Sequence, residues 1–578
     1  MSNFTNNLAD EWGDSQSIQI INNWKNFFND EKFKNKKIIA IDGDYSTNWD
    51  NLKIKLQTSI SKNKKIIFLD FYKCLRSNRE LNIFFNSHLQ NDDPLFGKVS
   101  KSNINKLLNS KKILLFIEKF KTILKKKFKY YYIILLGTGV NSININNLFD
   151  SRIYLSLNKS NSLKNSNWST TGKTQTVSPN FYYYFIFPIL EKYQEKILSK
   201  IDYYVDNNKE RKIIIITKKN LFKILNKISS EPLKLYPIYE PGVWGGKWLV
   251  KKRKLNIKNC AIGMELIAQE QNVIINFKNN LIEIPFPLIM SFYGKNILGK
   301  DLSIKYNNYL PVRVAYDDTY KNRNNNLSIQ VHPNKSYMKK IFNEPLGQAE
   351  MYYIADQSQQ SKVYLGFKNN ISKKIFINKT KKSSETGLKI NYEKYINSIN
   401  ASIGDLFLIP PGTIHAAGSN NFVLEISNTP YRYTFKIYDY CRLNLDGKKR
   451  QLSLDHAYKV LKYDRDSNWV NKNLIPKPKL HKVKKDYYEY LLSDHKSFTF
   501  KLFRIHFKNS YEDTTLKSMH ILNIVKGKSI FLVSLNNIKI KLSLSETLLI
   551  PKKFGKYKII SENNEEFEII KIVLKNDK

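Results

Sequence analysis

The chain has 578 residues, more than the ~250 to 300 at which a single hydrophobic core stops growing, so about two to four domains are expected. Apolar residues make up 42% and aromatic residues 13%, which excludes a largely disordered chain. The net charge of +45 comes mostly from lysine spread along the whole length, without a basic patch or recognisable module, so no nucleic-acid partner is expected.

The sequence shows no signal for export or for membrane insertion. Its N-terminus, MSNFTNNLADEWGDSQ, is polar and acidic, and the longest apolar runs, such as YYYIILLG, have the length of a strand. The three cysteines, Cys74, Cys260 and Cys441, are far apart and indicate reduced thiols. We therefore expect a cytoplasmic protein with no membrane partner.

Residues 1–230 alternate Ile-rich runs with amphipathic stretches. The runs are KKIIAIDG (36–43), KKIIFLDF (64–71), YYYIILLGTG (130–139) and RKIIIIT (211–217). Short apolar runs separated by helical patterns are typical of parallel strands covered on both faces. The sequence predicts an α/β domain built on a parallel sheet.

The segment IIAIDGDYSTNWDNLKIKLQ resembles the opening of uridine-kinase-like P-loop proteins. A working phosphate loop needs Gly-Lys-Ser/Thr after four intervening residues, but here those places hold Asn48, Trp49 and Asp50. The interpretation is a degenerate P-loop kinase-like domain whose role the sequence does not assign. Nucleotide binding by this half, which would make the protein bifunctional, is left open.

From residue 231 the predicted strands are short, with alternating apolar and polar residues and with Gly, Pro and Asn turns between them. This pattern is typical of β-sandwiches. A helical piece, LDHAYKVL, and a Pro- and Lys-rich linker, NLIPKPKLHKVKK, precede a second all-β stretch. The predicted domains are therefore 1–230 (α/β), 231–470 (a metal-binding β domain) and 471–578 (a second β domain). In the last, His520 is interpreted as a structural residue.

Four side chains form a candidate metal site. Gln330 and His332, in LSIQVHP, are two apart on a predicted strand and project from the same face. Glu350 leads the run EMYYIAD, and His415 follows the turn PPGTI. Two imidazoles, a carboxylate and an amide oxygen suit zinc with a position left open for water or substrate.

Five segments resemble class I mannose-6-phosphate isomerases in the same order along the chain. They are EPGVWGGKW, LSIQVHPNKSY, EMYYIAD, GDLFLIPPGTIHAAGSNNFVLEIS and YTFKIYDYCRLNLDGKKRQLSLDHA. The resemblance covers about residues 235–578 and implies tandem cupin domains, with zinc held by Gln330, His332, Glu350 and His415. It also implies interconversion of mannose 6-phosphate and fructose 6-phosphate, with zinc as a Lewis acid stabilising a cis-enediolate.

Two positions depart from the family pattern. Better-known members carry Lys where this chain has Gln348, and Arg where it has Lys436. Lys436 keeps the positive charge, whereas Gln348 cannot act as an ionic acid or base. Lys436 and Arg442 are the predicted catalytic cations, although Arg442 could instead form a salt bridge to Asp439 or Asp446.

Several alternatives remain at this point. Glu425 could orient a ligand histidine or be a solvated strand residue. The β domains could form a non-catalytic sugar-phosphate sensor, since two family cations are missing. Cupins also host iron oxygenases that use two His and one carboxylate, although the additional Gln favours zinc.

Overall fold

The computed structural model describes the chain in segments. They are residues 4–7, 19–30, 36–60, 65–86, 95–126, 131–165, 179–209, 212–257, 261–277, 279–321, 325–429, 432–534, 538–562 and 565–576. Cys260 lies outside them. No helix within these segments is long and apolar enough to cross a membrane, and the cytoplasmic location stays a prediction.

The chain divides into two compact units, and each is built from two stretches of sequence. The N-terminal unit comprises residues 1–229 and 270–293, and the C-terminal unit comprises residues 230–269 and 294–578. The helix Phe286–Leu298 spans the division, and Tyr293 departs from helical geometry within it (φ −130°, ψ 22°). The three-domain division made from the sequence stays a prediction.

A seven-stranded sheet forms the centre of the N-terminal unit. In spatial order its strands are Ile20–Ile21, Ile214–Thr217, Tyr203–Asp206, Ser151–Ser156, Ile38–Gly43, Tyr131–Leu136 and Lys65–Asp70. The last five run parallel to one another, as the Ile-rich runs predict. Ile214–Thr217, also expected to be parallel, pairs antiparallel with Tyr203–Asp206.

Helices connect these strands. The longer ones are Trp49–Ser59, Asn78–Asn86, Ser110–Lys125, Phe187–Ile197 and Lys218–Ile228, and the shorter ones are Trp24–Asn29, Lys159–Asn165 and Pro179–Phe181. Asn48 caps the first of the longer helices by accepting a hydrogen bond from the Asn51 N–H. A separate three-stranded sheet in this unit contains Thr5–Asn7, Asn272–Phe277 and Asn280–Pro285.

The turn after Ile38–Gly43 is organised around the buried carboxylate of Asp42. It accepts hydrogen bonds from the backbone N–H groups of Gly43 (2.8 Å), Gly139 (2.8 Å) and Asn141 (2.9 Å), and from the hydroxyl of Tyr193. Burial raises the pKa of Asp42 to about 6. These backbone donors are thus bonded to the protein's own carboxylate, and the kinase-like interpretation stays a prediction.

The C-terminal unit begins with a β-sandwich of two antiparallel sheets, as its alternating pattern predicts. The six-stranded sheet contains, in spatial order, Leu406–Ile409, Glu350–Gln357, Asn421–Ser427, Arg313–Asp318, Ile262–Ile267 and Ile238–Gly246. The five-stranded sheet contains Ile396–Ala401, Ser361–Phe367, His415–Ala417, Ile329–Val331 and Phe435–Tyr438. We call this pair of sheets the first sandwich.

Helices accompany the first sandwich. They are Trp248–Arg253, Lys300–Lys305, Lys335–Phe342, Lys373–Thr386, Leu454–Val460 and Ser467–Asn473. Leu454–Val460 coincides with the helical piece expected from LDHAYKVL. Part of the expected linker is instead the exposed strand Lys479–Lys484, because it pairs with Tyr487–Ser493.

The second sandwich completes the unit. One sheet contains Lys479–Lys484, Tyr487–Ser493, Phe500–Phe507, Phe567–Leu574, His520–Lys526 and Thr547–Ile550, and the other contains Ser510–Thr514, Lys556–Ser561, Ser529–Ser534 and Lys539–Ser543. Alternate side chains of both sheets fill a common apolar core that includes Leu522, Leu532 and Ile559.

Candidate metal centre

Three buried side chains of the first sandwich converge on one point. The ligand atoms of His332, Glu350 and His415 all lie within 4.8 Å of one another. Glu350 Oε1 is 2.7 Å from His415 Nε2, and Glu350 Oε2 is 3.0 Å from His332 Nε2. Each residue is at most 1% exposed. Burial would raise the pKa of Glu350, but the two imidazoles hold it well below its usual range.

Strand pairing explains why residues so far apart in sequence meet. Gln330 and His415 are directly opposed in the antiparallel ladder, so their side chains share a face. Gln330 and His332 alternate along one extended segment and also share that face. Glu350 begins a strand of the opposite sheet, and the interior between the two sheets therefore receives all four predicted ligands.

The outer ring nitrogens fix the orientation of both imidazoles. His415 Nδ1 is 2.9 Å from the carbonyl oxygen of Thr413, and His332 Nδ1 is 3.3 Å from that of Tyr433. An Nδ1–H that donates to a carbonyl directs Nε2 toward the centre, which is the arrangement that orients metal-binding histidines. In this orientation both Nε2 atoms and the Glu350 carboxylate could serve as ligands to a cation.

Two glutamine amides border the same point. Gln330 Nε2 is 3.3 Å from His415 Nε2, and Gln330 Oε1 accepts a hydrogen bond from the Ser328 hydroxyl at 3.1 Å. Gln348 Nε2 donates to Glu350 Oε2 at 3.1 Å, whereas Gln348 Oε1 is buried without a hydrogen-bond partner among the described residues. Nitrogen and oxygen donors with an unsatisfied buried oxygen fit a divalent cation.

Two buried acidic residues, Asp317 and Glu425, lie on the same six-stranded sheet as Glu350. Glu425 is 3% exposed and forms an ion pair with the buried guanidinium of Arg313, so it is not a solvated strand residue. Neither oxygen of the fully buried Asp317 has a geometrically good hydrogen bond within the described segments. Burial, followed by the charges of Glu425 and Glu350, raises the pKa of Asp317 well above its usual range.

Of the two predicted catalytic cations, Lys436 lies on the edge strand Phe435–Tyr438 and Arg442 lies on the segment after it. Lys436 opposes Gln330 in the ladder, which directs its side chain to the same face. Burial, followed by the nearby charge of Arg450, lowers the pKa of Lys436 to about 8. Arg442 forms an ion pair with Asp439, one of the two partners expected in the salt-bridge alternative.

Sequence reasoning did not single out Asp317, Tyr352 or Arg450. Tyr352 is fully buried, and its ring centroid is 5.9 Å from that of His415. The available signal for Asp317 was an acidic residue directly after the apolar run VAY of the strand Arg313–Asp318. Arg450 lies within the last of the five family segments, but that segment does not indicate its contact with Asp439, eleven residues away.

Comparison with known proteins gives one match to a protein family and several to individual proteins. Residues 23–230 match a family described as a domain of unknown function (DUF8485). The chain is 33% identical over 138 residues to "Probable mannose-6-phosphate isomerase GmuF" of Bacillus subtilis, an alignment that covers 24% of this chain and 41% of that protein. It is 24% identical over 241 residues to the mannose-6-phosphate isomerase of Streptococcus mutans, covering 41% of this chain and 70% of that protein.

A solved structure of the mannose 6-phosphate isomerase from Bacillus subtilis aligns with a TM-score of 0.48 at 18% identity, covering 59% of this chain and 99% of that one. The chain spans about two fifths (41%) of the length of the GmuF protein, the first of the relatives named above. As its motifs indicate, the chain is similar in sequence to mannose-6-phosphate isomerases.

Proposed function

We propose that the protein is a mannose-6-phosphate isomerase that interconverts mannose 6-phosphate and fructose 6-phosphate. The observation that carries this proposal is the buried group His332, Glu350 and His415, with both Nε2 atoms directed inward. The names of the relatives supply the substrate class, a sugar phosphate.

The proposed metal is zinc, held by Gln330, His332, Glu350 and His415. These nitrogen and oxygen donors are ligands that borderline-soft zinc accepts. When bound, the ion would supply a Lewis acid for the sugar oxygens at C1 and C2. Iron chemistry with the same two-His, one-carboxylate group is the competing assignment, and metal analysis distinguishes the two.

The chain's own residues would supply orientation and charge. Glu350 and the carbonyl oxygens of Thr413 and Tyr433 hold the two imidazoles in place. Lys436, on the same face as Gln330, would place a positive charge beside oxygens that become negative during proton transfer. Gln348 lies at the centre but carries no ionisable group, so it orients Glu350 rather than moving a proton.

The test is formation of fructose 6-phosphate from mannose 6-phosphate by the full chain, before and after chelation and with zinc restored. The expected result is turnover that chelation abolishes, zinc restores and the His332→Ala/His415→Ala double variant lacks. His481→Ala, at an exposed histidine of the second sandwich, is the matched control and should leave turnover unchanged. A zinc-loaded chain that binds sugar phosphate without turnover would instead establish the sensor alternative.

A further inference from the structure

The turn formed by residues 410–414 contains the acceptor that orients one ligand histidine. It joins the strand Leu406–Ile409 of the six-stranded sheet to the strand His415–Ala417 of the five-stranded sheet. The carbonyl oxygen of Thr413, which lies 2.9 Å from His415 Nδ1, belongs to this turn. We call residues 410–414 the ligand turn. The direction of His415 Nε2 therefore depends on how firmly the ligand turn is held.

A single buried guanidinium group holds the ligand turn from outside it. It belongs to Arg465, which is 7% exposed. Arg465 Nη1 donates to the carbonyl oxygen of Pro410 at 2.8 Å, to that of Pro411 at 2.9 Å and to the hydroxyl oxygen of Thr413. The Thr413 hydroxyl in turn donates to the Pro410 carbonyl oxygen at 2.7 Å. One nitrogen thus links three residues of the ligand turn.

Arg465 is itself held in place. Its carbonyl oxygen accepts a hydrogen bond from the Phe367 N–H at 2.9 Å, and its guanidinium carbon lies 5.2 Å from the centroid of the Trp469 ring. No carboxylate lies within ion-pair distance of Arg465 among the described residues. Its charged donor is therefore used on the neutral acceptors of the ligand turn, and such charge-assisted bonds are stronger than bonds between neutral groups.

The ligand turn also contacts the second ligand histidine. The Gly412 N–H donates to the backbone carbonyl oxygen of His332 at 2.9 Å, and the Lys462 N–H donates to the Gly412 carbonyl oxygen at 2.9 Å. Gly412 has a φ of +88°, a conformation that favours glycine. Lys462 and Arg465 therefore hold the ligand turn at two places, and a shift of the turn would reach both ligand histidines.

We propose that Arg465 is a positioning residue for the metal centre, which holds the ligand turn so that the Thr413 carbonyl oxygen fixes the ring of His415. This inference rests on the proposed function for its metal, zinc. Arg465 bonds to the ligand turn and to none of the four proposed ligands, so it acts on the ion only through them. A residue of this kind changes metal affinity and coordination geometry without supplying a ligand atom.

The test measures the zinc affinity of the full chain by competition with a chelator. Arg465→Met keeps a long side chain but loses all three contacts with the ligand turn, so zinc affinity should fall at least ~10-fold. Arg465→Lys keeps a charged donor and should recover part of that affinity. Thr413→Val keeps the carbonyl oxygen but removes the hydroxyl that Arg465 contacts, and affinity should fall at least ~3-fold because hydrogen bonds of the turn are lost.

Arg504→Met is the matched control. Arg504 Nη1 also donates to the carbonyl oxygen of a turn, that of Gly404 at 3.3 Å, but this turn does not precede a proposed ligand. The control should bind zinc like the unaltered chain. The absorption spectrum of the cobalt-substituted chain reports coordination geometry. It should change in Arg465→Met and stay the same in Arg504→Met, whereas a general loss of stability would leave the spectrum of the bound cobalt unchanged.

Turnover and metal binding separate the possible results. If the chain binds zinc without isomerising mannose 6-phosphate and Arg465→Met weakens that binding, the isomerase proposal fails and this inference stands. If the chain turns over but folded Arg465→Met keeps its zinc affinity within twofold and its cobalt spectrum, this inference is overturned. If melting shows that Arg465→Met does not fold, Thr413→Val decides by the same criteria. A chain that binds no zinc would overturn both proposals.

Discussion

The two sandwiches of the C-terminal unit neutralise their interior acids in different ways. In the first, Glu350 contacts two imidazoles and the amide of Gln348. In the second, Lys571, 4% exposed, extends its ammonium group between Glu489 Oε1 at 2.9 Å and Asp513 Oδ2 at 2.6 Å. The carboxylates of Glu489 and Asp513 therefore share a buried lysine, whereas no lysine or arginine lies within ion-pair distance of Glu350 among the described residues.

The histidines of the two interiors show the same contrast. His520 Nδ1 is 2.8 Å from the Tyr557 hydroxyl, and its nearest carboxylate, Asp513, is 3.9 Å away. Burial, followed by the charge of Lys571, lowers the pKa of His520 to about 4. Burial and the ammonium group of Lys571 thus both favour the neutral histidine, and the ammonium group supplies the positive charge beside the acids. The buried acids of the second sandwich thus face an ammonium group, whereas Glu350 of the first faces two imidazoles.

The largest effect should follow from removing the charge of Glu350. Glu350→Gln keeps the side-chain shape but loses the anionic ligand, so zinc affinity should fall at least ~100-fold. Zinc content after dialysis, measured by elemental analysis, checks this. Glu489→Gln is the control in the second sandwich and should leave zinc content unchanged; equal zinc loss in both variants would contradict the assignment.

Removing the resident cation of the second sandwich should have the next largest effect. Lys571→Met leaves the carboxylates of Glu489 and Asp513 without their buried partner, which should lower the free energy of unfolding by about 3 to 5 kcal/mol. Urea denaturation measures the change. Lys526→Met removes a lysine whose side chain is 56% exposed and should cost less than ~1 kcal/mol. Similar costs for the two variants would show that Lys571 is not an internal counter-ion.

Acid should destabilise the second sandwich through His520. Its pKa is about 4 in the folded protein against an ordinary value of 6.5, so the unfolded chain binds the proton first as pH falls. The free energy of unfolding is unaffected by this residue above pH 6.5 and should decrease by about 2 kcal/mol by pH 5. Denaturation of the unaltered chain and of His520→Asn at pH 7 and pH 5 isolates this contribution. Parallel losses in both proteins would exclude His520 as the cause.

The smallest effect is expected at Asp317. Burial and the neighbouring carboxylates raise the pKa of Asp317 well above its usual range. This favours the neutral carboxyl group, so the isosteric Asp317→Asn should change the free energy of unfolding by less than ~1 kcal/mol. Thermal melting at pH 7 provides the measurement. Glu425→Gln, which leaves the buried Arg313 guanidinium without its anion, should cost about 3 to 5 kcal/mol and is the matched comparison. A cost of that size at Asp317 would mean that it is ionised.

The sequence pattern predicts those structural features that depend only on residues close together along the chain. Alternation places Gln330 and His332 on one face, and Ile-rich runs indicate the strands Ile38–Gly43, Lys65–Asp70 and Tyr131–Leu136. The antiparallel direction of Ile214–Thr217 was not predicted, because strand direction depends on partners distant in sequence. The strand Ser151–Ser156 was not predicted either, because SRIYLS has few apolar residues.

The same limit applies to the site. That Gln330, His332, Glu350 and His415 meet was expected from family motifs. The raised pKa of Asp317 and the contact between Arg450 and Asp439 depend on burial and on contacts across loops, neither of which a single sequence encodes locally. Such groups become visible only when distant segments are brought together.

The N-terminal unit is built from two separate stretches of the chain, and this affects how it can fold during synthesis. Asn272–Phe277 pairs with Thr5–Asn7, and the Glu283 N–H donates to Asp206 at 2.7 Å, so residues 270–293 complete a unit begun at the N-terminus. At ~5 to 20 residues per second, a ribosome needs several seconds between residues 229 and 293. We expect the nascent N-terminal unit to stay incomplete during that interval and to depend on chaperones that bind unfinished chains.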